Sequence, residues 1–233
     1  MCNHYRDEEA EALEYARQSV PGLYIPAALP KLPGHVYPKY QAKVVLQEGG
    51  ARTLAALRWG VWPFYARDKP QYLTNARSDG LLTKSVWKES VAIRRCLITA
   101  NGYFEPGLGP PGAKGEILFT VKERPRFFIA GLWDRDPDGT STRAFTMVTT
   151  EPNETAARFH DRMPVVLGDA DALAWLGDEP LADAELARLC RGLPADALLH
   201  EALPPKLKIT RPAKIAVDEA DAPPAAPPKG ELF

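Results

Sequence analysis

Cysteine and histidine are scarce in this chain, and long apolar runs are absent. Each shortage removes a class of function. Cys2, Cys96 and Cys190 form an odd, scattered set with no CxxC spacing, which argues against a disulfide framework and a thiolate metal site and favours a reducing compartment. The four histidines lie far apart without an HxxxH or comparable pattern, so neither a metal nor an organic cofactor is expected. The opening residues are polar and acidic, and no apolar stretch reaches the roughly 20 residues that span a bilayer, so a cytoplasmic protein without a membrane partner is expected. The net charge of -1 also lacks the positive surplus usual in nucleic-acid binders.

That average hides an asymmetry. Between Arg52 and Arg95 nine basic residues, among them Arg58, Arg77 and Lys84, face only Asp68, Asp79 and Glu89, whereas acids predominate from Glu151 to Glu201. Such segregation can produce a positive face for phosphates, or simply a salt-bridged surface.

With 233 residues, 45% of them hydrophobic, the chain can bury one sizeable core. Residues 7–19 read as a helix, with Asp7 able to cap it and Arg17 in its last turn. Five prolines between Val20 and Tyr40 mark extended loop. Residues 43–47 and 52–60 flank "EGGA", a hairpin pattern. Further strand-like runs occupy 95–104, 116–122, 126–133, 144–150 and 163–167, and helices at 169–176 and 183–191 each open on an aspartate suited to an N-cap. These elements predict an α+β fold with a mostly antiparallel, barrel-like β-rich core and peripheral helices. "GLGPPGAKG" (107–115) reads as a surface loop, because proline removes the amide donors a phosphate cradle needs. The organisation expected is a domain over 1–203 and a Pro-rich, flexible tail over 204–233.

Four stretches carry chemistry: "MCN" at the start, "LTNARSDG" (73–80), "NGYFEP" (101–106) and "HDRMPVVL" (160–167). Removal of Met1 would leave Cys2 with both a thiol and a free α-amine, a pair that condenses with an aldehyde to an imine and closes through sulfur to a thiazolidine. Each residue also has a plainer use: a frayed terminus for Cys2, a turn for Asn75, a solvated loop acid for Glu105, a surface histidine for His160. Together they supply an aminothiol, an amide, a carboxylate and an imidazole at strand ends or in loops.

In order, Cys2, "RWGVWP" (58–63), "NARSD" (75–79), "NGYFE" (101–105), "AGLWD" (130–134), "FTMVTTEPN" (145–153) and "HDRMPVVL" resemble the SOS-response-associated peptidase (SRAP) family, whose members shield abasic sites in single-stranded DNA. The resemblance covers Cys2 to about Leu203. It implies a thiazolidine crosslink between Cys2 and the abasic aldehyde, with Asn75, Glu105 and His160 at the family's catalytic positions, and a compact β-rich fold with a basic groove for single-stranded DNA. A monomer associated with the nucleoid is the matching expectation. The chain departs from the family where Asn3-His4 replaces the usual Gly-Arg, where Pro106 replaces an aromatic residue, and where Asp79 replaces glutamate.

Within that resemblance, Glu105 is the candidate for moving protons as the closed sugar opens, His160 for assisting the departing ring oxygen, and Asn75 for holding the reacting group. Arg77, Arg162 and Lys84 suit phosphates, and Trp59 and Trp62 are candidate surfaces for unstacked bases, with core packing as the alternative use for at least one. Two competing functions remain at this stage: a cysteine peptidase pairing Cys2 with His160, and a non-covalent reader of modified DNA.

Overall fold

A computed structural model describes residues 2–67, 69, 71–108, 114–140 and 142–204. In chain order the elements are β1 (Tyr5–Arg6), α1 (Glu9–Ser19), β2 (His35–Val36), β3 (Gln41–Glu48), β4 (Ala51–Trp59), β5 (Asn75–Arg77), α2 (Ser85–Ile93), β6 (Arg95–Ala100), β7 (Gly102–Leu108), β8 (Lys114–Val121), β9 (Phe127–Arg135), β10 (Arg143–Thr150), β11 (Met163–Pro164), β12 (Val166–Leu167), α3 (Asp169–Leu176), α4 (Asp183–Leu189) and β13 (Leu198–Leu203).

Two sheets result. The larger has eight strands in the order β11-β10-β4-β3-β6-β9-β12, with β5 also paired to β10; a further β9–β10 pairing closes a circuit through β4, β3 and β6. The smaller runs β13-β8-β7-β1-β2. Pairing is antiparallel except where β10 meets β4 and β5.

The larger sheet is buried on both faces, which explains why "KVVLQ" reads as a continuous apolar run rather than an alternation. Val44 and Leu46 point into a core shared with Tyr5, Tyr103 and Phe119 of the smaller sheet. Val45, between them, points into a second core with Ala16 of α1, Trp87 of α2, Trp175 of α3 and Leu186 of α4. The β3–β4 hairpin turns at Gly49 and Gly50, whose φ values of 57° and 79° fit the left-handed turn that matches strand twist.

The run 95–104 is two strands in two sheets. β6 pairs with β3 and β9, and after Asn101 the chain crosses to pair with β1 and β8 as β7. Gly102 permits the crossing, since a Cβ there would lie 2.8 Å from Leu118 Cδ1 and 3.2 Å from the Phe119 carbonyl oxygen. The run 163–167 likewise divides at Val165 into a partner for β10 and a partner for β9. The "GLGPPGAKG" segment is strand at both ends, with Gly107 opposite Gly115; its centre, 109–113, lies outside the described residues. So does the segment 205–233, while β13 pairs with β8 as far as Leu203.

The expected capping aspartates take other positions. Asp169 and Asp183 are the first residues of α3 and α4, where a negative charge favours the helix dipole, and Gly168 and Ala182 occupy the N-cap positions. The N-cap of α1 is Glu8, without a side-chain bond. Asp7 instead turns into the interior, accepting from Thr99 Oγ1 (2.7 Å) and Arg126 Nη1 (2.9 Å) with Lys43 Nζ at 3.1 Å. All four side chains are buried. Removing one member of such a cluster strands the charges of the others, so Asp7→Ala is expected to cost about 3–5 kcal/mol. A midpoint shift in urea unfolding checks it; a loss below 1 kcal/mol would show that Lys43 and Arg126 reach water.

Candidate active site at the junction of the two sheets

The site forms where the N-terminal arm and β7 of the smaller sheet meet β5 and β10 of the larger one. Residues 2–4 precede β1 and run beside β7, with the Phe104 N–H donating to the His4 carbonyl oxygen (2.9 Å). Cys2 is 1% exposed, and its Sγ lies 3.4 Å from the His4 carbonyl oxygen and 4.0 Å from that of Phe104. Burial, reinforced by the negative charge of Glu105, pushes the thiol well above its ordinary value.

Asn75 begins β5, opposite Met147 on β10. Its Nδ2 donates to the Cys2 carbonyl oxygen (3.0 Å), joining the two sheets at the N-terminal arm, and to Thr74 Oγ1 (3.0 Å). Its Oδ1 is buried without a hydrogen-bond partner among the described residues.

Glu105 on β7 is 3% exposed, and neither carboxyl oxygen has a hydrogen-bond partner among the described residues. Desolvation raises its pKa to about 7, with Asp161 pushing in the same direction. A carboxyl that changes protonation near neutrality can both give and take a proton. A native fold seldom leaves such a group unsatisfied away from a functional site.

His160 lies between a 3₁₀ turn at Ala156–Arg158 and β11, and is half-buried. The Arg162 N–H donates to its Nδ1 (3.0 Å), and Asp161 Oδ1 is 2.8 Å from the same nitrogen. Burial depresses its pKa, favouring a neutral ring at pH 7 with Nδ1 accepting from Arg162.

The remaining candidates separate. Arg77 is exposed and makes a bidentate pair with Asp79 (3.2 and 2.9 Å). Arg162 is buried, donating to the Thr149 carbonyl oxygen (2.8 Å), so its guanidinium braces β10 rather than lying open to a phosphate. Trp59 is fully buried against Tyr5 and Phe145 and bonds the Thr74 carbonyl oxygen (2.7 Å): it takes the core alternative and offers no face to a base. Trp62 is half-buried, donating to the Ala66 carbonyl oxygen (2.7 Å), and Lys84 is exposed at the start of α2. The basic segment divides likewise. Arg58 is paired with Asp136 and Arg95 is buried among backbone carbonyls, whereas Arg67, Lys69 and Lys88 are exposed.

Sequence reasoning passed over the exposed Phe64 and Tyr65 beside Trp62, and the ring of His4. Among the described residues no group of His, Cys, Asp and Glu is arranged to hold a metal ion, and no helix is long and apolar enough to cross a membrane.

Comparison with known proteins places this arrangement. The family described as SOS response associated peptidase (SRAP) matches residues 1–207. The Bacillus subtilis protein named abasic site processing protein YoqW is 30% identical over 166 residues, covering 70% of this chain and 74% of its own. Abasic site processing protein YoaM of the same organism is 28% identical over 192 residues, covering 81% and 84%. A crystal structure from Bacteroides thetaiotaomicron shares the fold with a TM-score of 0.72 at 23% identity, over 87% of this chain and 92% of that one. Another, from Bordetella bronchiseptica, does so with a TM-score of 0.70 at 24% identity, over 87% and 99%. With a family match over most of its length and the β-rich fold shared with these structures, the chain belongs to the SRAP family.

Proposed function

We propose that this protein processes abasic sites in single-stranded DNA by forming a covalent thiazolidine between Cys2, freed by removal of Met1, and the C1′ aldehyde of the sugar. The observation that carries the reading is the Glu105 carboxyl, buried beside the N-terminal arm without a hydrogen-bond partner among the described residues and with a pKa of about 7. The names of its relatives, abasic site processing proteins, support the substrate class.

The chemistry balances without a cofactor. An abasic sugar is mostly a closed hemiacetal, and opening it transfers the hydroxyl proton to a base while an acid protonates the ring oxygen. Glu105, which can take and give a proton near neutrality, is suited to both transfers in turn, and the neutral ring of His160 to stabilising the departing ring oxygen by a hydrogen bond. The Cys2 amine adds to the aldehyde carbon, a proton reaches the carbinolamine oxygen, and water leaves to give an iminium. The thiol then adds to that carbon, losing its proton to the Glu105 carboxylate, and the ring nitrogen ends neutral. The net change is aldehyde plus aminothiol to thiazolidine plus water. Because burial keeps the thiol protonated, the base that receives its proton has to be local. Asn75 holds the Cys2 carbonyl oxygen and so fixes the direction from which amine and sulfur approach.

The peptidase alternative fits less well. A peptidase thiol is activated by a lowered pKa, whereas the Cys2 thiol is driven up, and the hydrogen-bond acceptors of its Sγ among the described residues are backbone carbonyls. The experiment is a denaturing gel after mixing the protein with an abasic single strand. A shifted band that survives without reductant supports the proposal, and its absence refutes it.

Of the candidate phosphate ligands Arg77 and Lys84 are open to solvent, and Arg77 is the one on the same strand as Asn75. Its pair with Asp79 is exposed and yields readily to a phosphate. Arg77→Ala is expected to weaken binding to intact and abasic strands equally, since a phosphate carries no information about the missing base. The slope of log K against log salt should become shallower by about 0.7, the contribution of one contact to a single strand. Asp79→Asn, which releases the guanidinium, should act oppositely. An unchanged salt titration for Arg77→Ala would make the arginine structural.

A further inference from the structure

The surroundings of His4 in this chain are built rather than incidental. The ring is buried and spans three elements: Nδ1 is 3.1 Å from Glu116 Oε1 on β8, and Nε2 is 2.8 Å from His35 Nδ1 on β2. Its faces are covered by Phe104 of β7, with ring centroids 3.9 Å apart and planes 11° from parallel, and by Tyr37, at 4.2 Å and 16°.

The tautomers follow from the partners. Glu116 as a carboxylate only accepts, so Nδ1 of His4 carries a proton. Nε2 then either accepts from His35 Nδ1–H, with His4 neutral, or donates to it, with His4 charged. Both ring nitrogens are bonded in either case, and the carboxylate makes the first bond charge-assisted.

We infer that the Glu116–His4–His35 chain is the clamp that positions the reactive N-terminus, which makes His4 a positioning residue acting through Cys2 and Glu105. A terminal arm two residues ahead of its first strand would ordinarily fray. Here the Sγ of Cys2 rests on the His4 carbonyl oxygen, so the clamp fixes the sulfur two residues away. One of the two rings that stack on His4 belongs to Phe104, the neighbour of Glu105, so the same clamp sets the distance between the sulfur and the carboxyl. The inference deepens the crosslinking proposal and rests on it for its kinetic consequence, but the mechanical part stands apart from DNA.

The test uses His4→Phe, which keeps a flat ring between Tyr37 and Phe104 and removes both nitrogen bonds. The first readout is the rate at which iodoacetamide alkylates each cysteine of the full-length protein, resolved by peptide mass. Loss of a charge-assisted bond is expected to raise Cys2 labelling by about tenfold or more while Cys96 and Cys190, buried in the cores, stay unchanged. The second readout is the crosslinking of an abasic single strand, where the maximal rate should fall by about tenfold with half-saturation nearly unchanged. Glu116→Ala should shift both in the same direction by less, and the double variant should fall short of the product of the two single effects. Unchanged Cys2 labelling in His4→Phe overturns the clamp. If all three cysteines become reactive together the variant has unfolded, and Glu116→Ala then decides by the same criterion. A wild-type protein that fails to crosslink refutes the proposed function, while the labelling result still decides the role of His4.

Discussion

Replacing Cys2 with alanine is expected to abolish the reductant-resistant crosslink completely while leaving non-covalent affinity for single strands close to wild type. The new terminus keeps an amine, so an imine can still form, but without sulfur it reverts to aldehyde and amine when the gel denatures the complex. Cys2→Ser separates the two nucleophiles further: its hydroxyl is a much weaker trap for the iminium, and a band should appear only after borohydride reduction. The proposed phosphate ligand, Arg77, is exposed on β5, away from the buried sulfur, which is why binding is expected to survive. A stable band from Cys2→Ala without reductant would assign the bond to another residue. Normal adduct yield from Cys2→Ser would make sulfur unnecessary.

Glu105→Gln is expected to slow crosslinking by about 10²–10⁴-fold, the usual contribution of a general acid–base, without lowering the final yield. In the proposed mechanism the carboxyl moves protons and forms no bond to the product. Release of the sugar from the thiazolidine should slow in parallel, because the same proton transfers run in reverse.

Stability is expected to move the other way. Glu105 ordinarily titrates near 4.5 and in the fold near 7. Between those values the folded chain binds more protons than the unfolded one, so this group makes stability fall as pH rises from about 4.5 to about 7, and the loss is complete above that. At 1.36 kcal/mol for each tenfold in affinity for the proton, the loss is about 3 kcal/mol. Glu105→Gln should therefore match wild type at pH 4 and exceed it at pH 8, by up to that amount, in denaturant midpoints. A variant that is slow at crosslinking and stabilised only at neutral and alkaline pH identifies a strained functional carboxyl. Wild-type rates with no pH-dependent gain would return Glu105 to a bystander.

Much of this architecture was legible because it rests on local patterning. The β3–β4 hairpin, α3, α4 and the central strands follow from apolar period, turn glycines and breakers. Where sequence reading went astray, a long-range partner decided. Nothing in "RCLITANGYF" marks the change of sheet at Asn101, because both halves suit a strand and only the close approach of β8 at Gly102 shows it. β5 has three residues and is a strand because β10 presents an edge to it. α2 passed unnoticed between two motifs, and β13 exists because β8 needs a partner.

The site shows the same division. Cys2, Asn75, Glu105 and His160 can be picked out as candidates from residue type and order, but their burial cannot. Arg77 and Arg162 each lie close to a motif residue, yet one is open to solvent and the other braces Thr149. Trp59 and Trp62 are three residues apart with different fates. Asp7 looked like a cap because it precedes a helix, and became an interior charge because Lys43 and Arg126 converge on it.

The most direct measurement is the intact mass of the adduct formed with an abasic oligonucleotide, followed by tandem mass spectrometry of its N-terminal peptide. A thiazolidine through a freed Cys2 requires the mass of the chain without Met1 plus that of the oligonucleotide, less one water, with the sugar on Cys2 and no reductant added. An adduct that retains Met1, or that maps to a lysine and appears only after reduction, would contradict it.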